Sequence, residues 1–443
     1  MNVIPTTINE FFNSIGGAFA FCWIQENTSE MAFRKAKFSI LKYDWQIIDI
    51  EESPIEVSRS DFIDKDIGLE NYDKAQAEGL AIVYAAWSKD GKTVMGPIKL
   101  KPSYTINLSN YLSEIKRHRK NGRCLHFEAG NRCNEYINAH SIQNKGQLEQ
   151  IAENGHVYGV SNNYTDIIKN KGRVSYKKIG IKTISTFLGF CKNHDNELFE
   201  PIDNFPLKPI NQQVMLYGYR SLCRELFVKE NSLNMIKKQL ASDISNETIK
   251  SYLCALDTGL AFGLTNLQAH KNIYDRSLKN EYYDDIRFVL FTSDQKQTIA
   301  FSGLMYPDFD FTGKQLQDLS DHTSCLDLIT FCSAPMVNGW GFLFAWHQSR
   351  SKVCSMFMNS LKIAINESNR CEDYLFRLVV NSENIAISPI WWEGLTEDDK
   401  VKILNRVSDS VDFLSDISSS YLTNGLEGLS SWNFKNVITN VQD

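Results

Sequence analysis

The pattern of apolar and polar positions divides the chain into three stretches. Over residues 1 to about 105 it reads as a mixed α/β or mostly β unit. RKAKFSILKYDWQIIDI at 34–50 alternates as a strand pair with a turn near Asp44 would, and LAIVYAAWSKDGKTVMGPIKLK at 80–101 places Asp90-Gly91 between two β-rich runs, a hairpin signature. The Asp and Glu residues of 49–75 are scattered as on a solvated face. INLSNYLSEIKRHRKNGR at 106–123 begins with Asn and Ser capping candidates and ends in a basic turn before Gly122, as a helix does.

In the second stretch, KGQLEQIAENGHVYGVS at 145–161 predicts a short amphipathic helix and then a strand, and Pro201, Pro206 and Pro209 mark a boundary. Residues 210–283 carry apolar positions mainly at helical spacing. Beyond Tyr283 the pattern returns to strands in DIRFVLFTSD, QTIAFSGLMYP, SCLDLITFCSAP and GWGFLFAWHQS, with helices around KVCSMFMNSLKIAI and TEDDKVKILNRVSDS. The tail after about residue 415 is Ser- and Asn-rich and reads as loosely held. The expected fold class is α+β and multidomain: a β-rich N-terminal domain over 1–105, a central module over 106–209 and an α+β domain over 210–443.

At 443 residues, 43% apolar and 23% charged, the chain has the composition of a folded globular protein. The apolar run IGGAFAFCWI has no Lys or Arg before it, the first being Arg34, so it lacks the basic flank of a secretory signal. No apolar run approaches the roughly 18 to 20 residues that span a bilayer. A cytoplasmic location without a membrane partner is expected. The ten cysteines sit mostly singly in apolar segments, which points to small buried side chains and one metal site in place of a disulfide framework.

That site lies between Cys124 and Phe199. RCLHFEAGNRCNEYINAHSIQ supplies Cys124 and Cys133, STFLGFCKNHDNELFEPID supplies Cys191 and His194, and the two pairs bracket His140 in a strand-like context. Thiolate and imidazole are the preferred ligands of tetrahedral zinc, and the two-residue spacer of the second pair lets its side chains converge on one ion. The first pair is separated by eight residues and needs a longer loop to close on the same ion, at a modest entropic cost. His126 is an alternative ligand.

Charge distribution sharpens this reading. The chain has a net charge of −6, yet residues 116–182 hold 13 Lys and Arg against 5 Asp and Glu. Lys116, Arg117, Arg119, Lys120 and Arg123 flank the cluster on one side, and Lys171, Arg173, Lys177 and Lys178 on the other. One such run is ordinarily a solvated face; two around one candidate site in an acidic protein point to phosphate, and so to nucleic acid.

From Cys124 to Phe199 the chain resembles the HNH, or ββα-metal, nuclease family: a cysteine pair opening a hairpin, the strand INAHSI, and the closing run TFLGFCKNHDNELF. The resemblance implies a zinc-stapled ββα-metal module in which His140 is the general base. It also implies a catalytic divalent ion, Mg²⁺ or Mn²⁺, with Asp195 at the position of the last metal ligand, where the family usually has histidine. Two positions depart from the family pattern: Ala139, often Asp or His there, and Thr186, where the family has asparagine. Asn138, Asn193 and His156 are candidates to compensate. The function implied is endonucleolytic hydrolysis of nucleic acid, DNA before RNA, and accessory domains around a nuclease suggest defence against foreign DNA, as from phage. The alternative is a non-catalytic zinc-containing binding protein, with His140 a core residue. Of the C-terminal histidines His270, His322 and His347, the last follows an apolar strand and reads as a hydrogen-bonded structural residue, and Trp391-Trp392 reads as core packing, with the lining of a ligand pocket as its alternative.

Overall fold

The computed structural model describes residues 1–5, 9, 11–26, 29–43, 45–91, 94–95, 121–161, 175–241, 247–321, 323–368, 370–410 and 419–441. It is an α+β fold whose chain separates into two compact units, Met1–Tyr111 with Leu233–Gly259, and Leu112–Ser232 with Leu260–Asp443.

The first unit is built on an antiparallel sheet of order β3-β1-β2-β4-β5, formed by β1 (Asn2–Pro5), β2 (Ile15–Ile24), β3 (Trp45–Asp49), β4 (Leu80–Ser88) and β5 (Val94–Met95). The apolar run IGGAFAFCWI is its strand β2, paired along its length with β4 from Ile15↔Ser88 to Ile24↔Leu80. The expected hairpin is present, with Ala86↔Met95 and Trp87↔Val94 in register. Residues 34–42, read as a strand, instead belong to helix α1 (Ser29–Lys42), because Ala36 and Ile40 recur four apart and are both buried. Only the second half of that segment is a strand, and Trp45 at its start stacks on Tyr84 with ring centroids 5.1 Å apart. The charged stretch near 66–78 forms helix α2 (Asp66–Glu78), which stops at Gly79 in the left-handed region (φ 84°).

The second unit has an eight-stranded sheet of order β15-β10-β13-β12-β11-β14-β7-β8, made from β7 (His156–Ser161), β8 (Ser175–Gly180), β10 (Ile286–Ser293), β11 (Ile299–Met305), β12 (Ile329–Met336), β13 (Gly339–His347), β14 (Ile385–Ile387) and β15 (Asn436–Thr439). Alternation along β13 sorts its two faces: Phe342, Phe344 and Trp346 enter one core, and Leu343 and Ala345 the other. The first core is covered by α6 (Lys352–Ser368), α7 (Cys371–Val380), α8 (Pro389–Glu393) and α9 (Glu397–Ser410), with Trp392 among its buried side chains. The second core is shared by Phe187, Phe190 and Phe199 of the central module and by Leu216, Tyr219, Leu222, Leu267 and Tyr274, which lie on α4 (Asn211–Leu240) and α5 (Glu247–Lys279).

Two expectations change here. The boundary expected near 209 has no counterpart, because β7 and β8 of the central module continue the large sheet through the Ile387↔Tyr158 pair and both halves bury one core. The prolines instead punctuate a helix end and the short connection into α4. The tail, read as loose, is held from residue 419 onward: Leu422, Leu426 and Trp432 are core residues, and β15 pairs with β10. Its anchor is the buried Arg377, whose guanidinium donates to the carbonyls of Leu422 and Gly425 and pairs with Glu427 at 2.8 Å. The expected helix at 106–123 falls on positions of which 121–123 alone belong to the described residues.

Candidate metal centre

Strands β6 (Tyr136–His140) and β9 (Thr186–Cys191) pair antiparallel, with Tyr136↔Cys191 at one end and His140↔Thr186 at the other, and β9 runs directly into helix α3 (Lys192–Asp203). The result is a ββα unit. Everything between its strands, including β7 and β8, is an excursion that leaves at Ser141 and returns at Ser185, where the Ser141 N–H donates to the Ser185 carbonyl at 2.9 Å.

At one end of the hairpin, Cys124, Cys133, Cys191 and His194 bring their ligand atoms within 4.8 Å of one another. The three sulfurs lie 3.3, 3.5 and 3.4 Å from His194 Nδ1. Two ligands of a tetrahedral zinc with Zn–S near 2.3 Å and Zn–N near 2.0 Å sit about 3.5 Å apart, so the donor set and its spacing fit such an ion. The eight-residue spacer closes as expected of a longer loop. It turns through Gly130 (φ 92°) and Arg132 (φ 52°), and the Gly130 N–H donates to Cys133 Sγ at 3.2 Å. Asn134 and Asn193 exchange two hydrogen bonds, and Arg132 pairs with Glu197 at 3.1 Å, tying this loop to α3. Leu125 donates to Gly189, and the Tyr219 hydroxyl lies 2.9 Å from the Leu125 carbonyl.

Burial pushes the Cys124 thiol up to about 11, whereas Cys191 lies below its ordinary value because backbone N–H groups and the neighbouring cysteines offset its burial. His126 stacks on His194, with ring centroids 4.0 Å and planes 4° apart, and its Nδ1 accepts the Glu128 N–H at 3.0 Å. His126, Glu128 and His194 form a second close group. Two parallel stacked imidazoles cannot both place one ion in their ring planes, so the Cys₃His set is the better cage.

At the other end of the hairpin stands His140. Its Nε2 lies 2.9 Å from the Ile181 carbonyl oxygen, which can only accept, so Nε2 carries the proton and Nδ1 the free lone pair. Burial holds its pKa below the ordinary value, the Ile181 carbonyl opposing this, with Arg220 reinforcing and Asp203 opposing. Ala139 points the other way, into the core beside Phe187, which explains a small apolar residue there. Thr186 donates to the Thr183 carbonyl at 2.8 Å and so braces the turn that presents Ile181.

Asp195 lies in the first turn of α3, and burial raises its carboxyl to about 6. It belongs to no group of three metal-ligating side chains among the described residues. Arg220 acts on both Asp195 and His140; it is itself buried, stacked on Phe199 and bidentate to Asp203 at 2.7 Å. Of the compensating candidates, Asn193 is committed to the Cys133 loop, where it also donates to the Arg132 carbonyl, and the His156 side chain meets the Asn154 carbonyl.

Sequence reading missed Ile181 and Arg220. A charge interrupting the apolar stripe YGYRSLC of α4 was the available signal for the second.

The basic residues are less coherent. Arg123 pairs with Glu230 and covers the Phe227 ring, Lys178 pairs with Glu393 at 2.7 Å, and Lys177 is on β8. Lys116, Arg117, Arg119, Lys120, Lys171 and Arg173 lie outside the described residues, as does His322. His270 and His347 are hydrogen-bonded to Leu326 and Ser349, as structural residues are. No described helix is long and apolar enough to cross a membrane. Compared with known proteins, the chain matches no family model, no curated protein and no solved structure.

Proposed function

We propose that this protein is a zinc-stapled endonuclease of HNH type, hydrolysing phosphodiester bonds of nucleic acid with His140 as general base. One observation carries the reading: at the end of a ββα hairpin closed by a Cys₃His cluster, Ile181 fixes the His140 tautomer that leaves Nδ1 able to accept a proton. Burial keeps that imidazole neutral near pH 7. In the proposed step Nδ1 takes a proton from water, the resulting hydroxide attacks phosphorus, and the opposite P–O bond breaks with its oxygen protonated by solvent. A divalent ion, Mg²⁺ or Mn²⁺, bound through Asp195, water and the substrate phosphate would supply Lewis-acid stabilisation of the leaving oxygen. The Cys₃His ion, as zinc, holds the hairpin and α3 together and takes no part in the chemistry. Lys177 and Lys178 and the basic flanks would hold the strand, with DNA the favoured substrate.

A second reading, a zinc-containing binding protein without catalysis, draws on Ala139 being core and on Asp195 standing outside the close ligand groups found among the described residues. The test is cleavage of plasmid DNA and of a structured RNA under Mg²⁺ or Mn²⁺ by native protein and His140→Ala, with zinc content measured in both. Cleavage lost in the variant with zinc retained supports the nuclease. No cleavage by metal-loaded native protein supports the binding protein.

A further inference from the structure

His140 stands beside a knot of buried polar side chains drawn from distant parts of the second unit. Asn384, 4% exposed, precedes β14 and lies 243 residues from Ser141 in sequence. Its side-chain amide donates to Ser141 Oγ at 2.9 Å and to the Ser302 carbonyl at 2.8 Å. Ser141 Oγ in turn is 2.6 Å from Ser185 Oγ, which accepts the Ile142 N–H at 2.9 Å. Ser302 Oγ continues the chain to Ser221 Oγ at 2.8 Å.

Ser141, Ser221 and Ser302 are as buried as Asn384, so each unmade bond would leave a desolvated group behind. Ser185 is also held at a φ of 60°, a conformation a non-glycine residue keeps only when its surroundings impose it. Ser141 follows His140, and Ser185 precedes Thr186, the register partner of His140. Asn384 therefore reaches the one point at which both hairpin strands end.

We propose that Asn384 is a positioning residue for His140: by tying Ser141 to β11 it fixes the end of β6, and so the orientation in which the imidazole meets the Ile181 carbonyl. The catalytic consequence rests on the nuclease reading; the geometric one does not. The charged groups acting on the imidazole, Arg220 from α4 and Asp203 from α3, are outside the knot and unchanged by the test.

The test compares Asn384→Ala and Asn384→Asp, which lacks the amide donor, with Ser302→Ala, which loses the Ser221 link but keeps the carbonyl that Asn384 uses. Zinc content and melting temperature establish folding. The His140 ring resonance, assigned with His140→Gln, is titrated by NMR, and kcat and KM are measured on plasmid DNA as a function of pH.

Both Asn384 variants are expected to shift the His140 resonance and its titration midpoint, and to lower kcat roughly 10- to 100-fold with KM little changed, as displacement of a catalytic group does. Ser302→Ala is expected to match the native protein in both. His140 titrations in the Asn384 variants that superimpose on the native curve would overturn the proposal, as would an equal displacement in Ser302→Ala. Should Asn384→Ala not fold, Ser141→Ala removes the same contact from the other side. If the native protein does not cleave, the nuclease reading falls, and the titration alone decides the positioning role.

Discussion

The imidazole of His126 lies flat on that of His194, 4° from parallel at 4.0 Å. The stack offers the ion one imidazole, and Nδ1 of His194 is the nitrogen facing the three sulfurs. His126 then serves as a lid on its neighbour, whose outer nitrogen is a buried atom with no partner among the described residues.

The chain should therefore bind one zinc ion. Metal analysis of purified protein is expected to give one equivalent, retained in His126→Ala and lost in Cys133→Ser, Cys191→Ser and His194→Ala. Loss of metal in His126→Ala alone would move the site to the other group.

Metal affinity should rise with pH. The ligands bind as thiolates, and Cys124, raised by burial to about 11, must give up a proton on loading. Titration of the metal-free protein in buffers of different ionisation enthalpy should detect proton release, and affinity should be weaker at pH 6 than at pH 8. Uptake without proton release would contradict thiolate ligation by Cys124.

Asp195 should cost the protein stability. Its folded pKa of about 6 lies above the ordinary value near 4, so the fold favours the protonated form. That contribution is fully present below about pH 4 and is lost as pH rises through about 6. Asp195→Asn, measured without added Mg²⁺, should be more stable than native protein by about 1–3 kcal/mol at pH 7.5 and equally stable at pH 4. A gain that persisted at pH 4 would point to a cause other than its charge.

Removing the Arg220 guanidinium should act in two ways. Arg220→Met leaves Asp203 without its bidentate partner, and because Asp203 is partly solvated the cost should be about 1–3 kcal/mol, seen as a lower denaturant midpoint at unchanged slope. It also removes a positive charge that holds the His140 pKa down, so the imidazole should titrate at higher pH. An unmoved His140 midpoint would show that the two groups are uncoupled.

What the sequence disclosed follows from how each signal is carried. The metal cluster was legible because soft ligands are residue identities, and strands β10 to β13 because their apolar runs are buried on both faces. Helix α1 was misread because Ala36, Ser39 and Ile40 fit a helix face while their neighbours mimic alternation. The tail was misread because its Ser and Asn content hides an anchor supplied by Arg377, some fifty residues upstream. Asn384 had no signal at all, since a single polar residue becomes informative only once its buried partners are known.

One contrast within the second unit sets the order in which its parts form. Strands β12 and β13 are joined by the two residues Val337 and Asn338, a contact made almost as soon as the chain collapses. Strands β6 and β9 pair across the whole excursion 141–185, and closing a loop of that length costs roughly 3 kcal/mol more than a two-residue turn. The β12–β13 pair can therefore form on local contacts, whereas the hairpin bearing His140 waits for long-range ones. An ion held by Cys124, Cys133, Cys191 and His194 would bring those distant strands together, so that loading of the metal would time the completion of the hairpin.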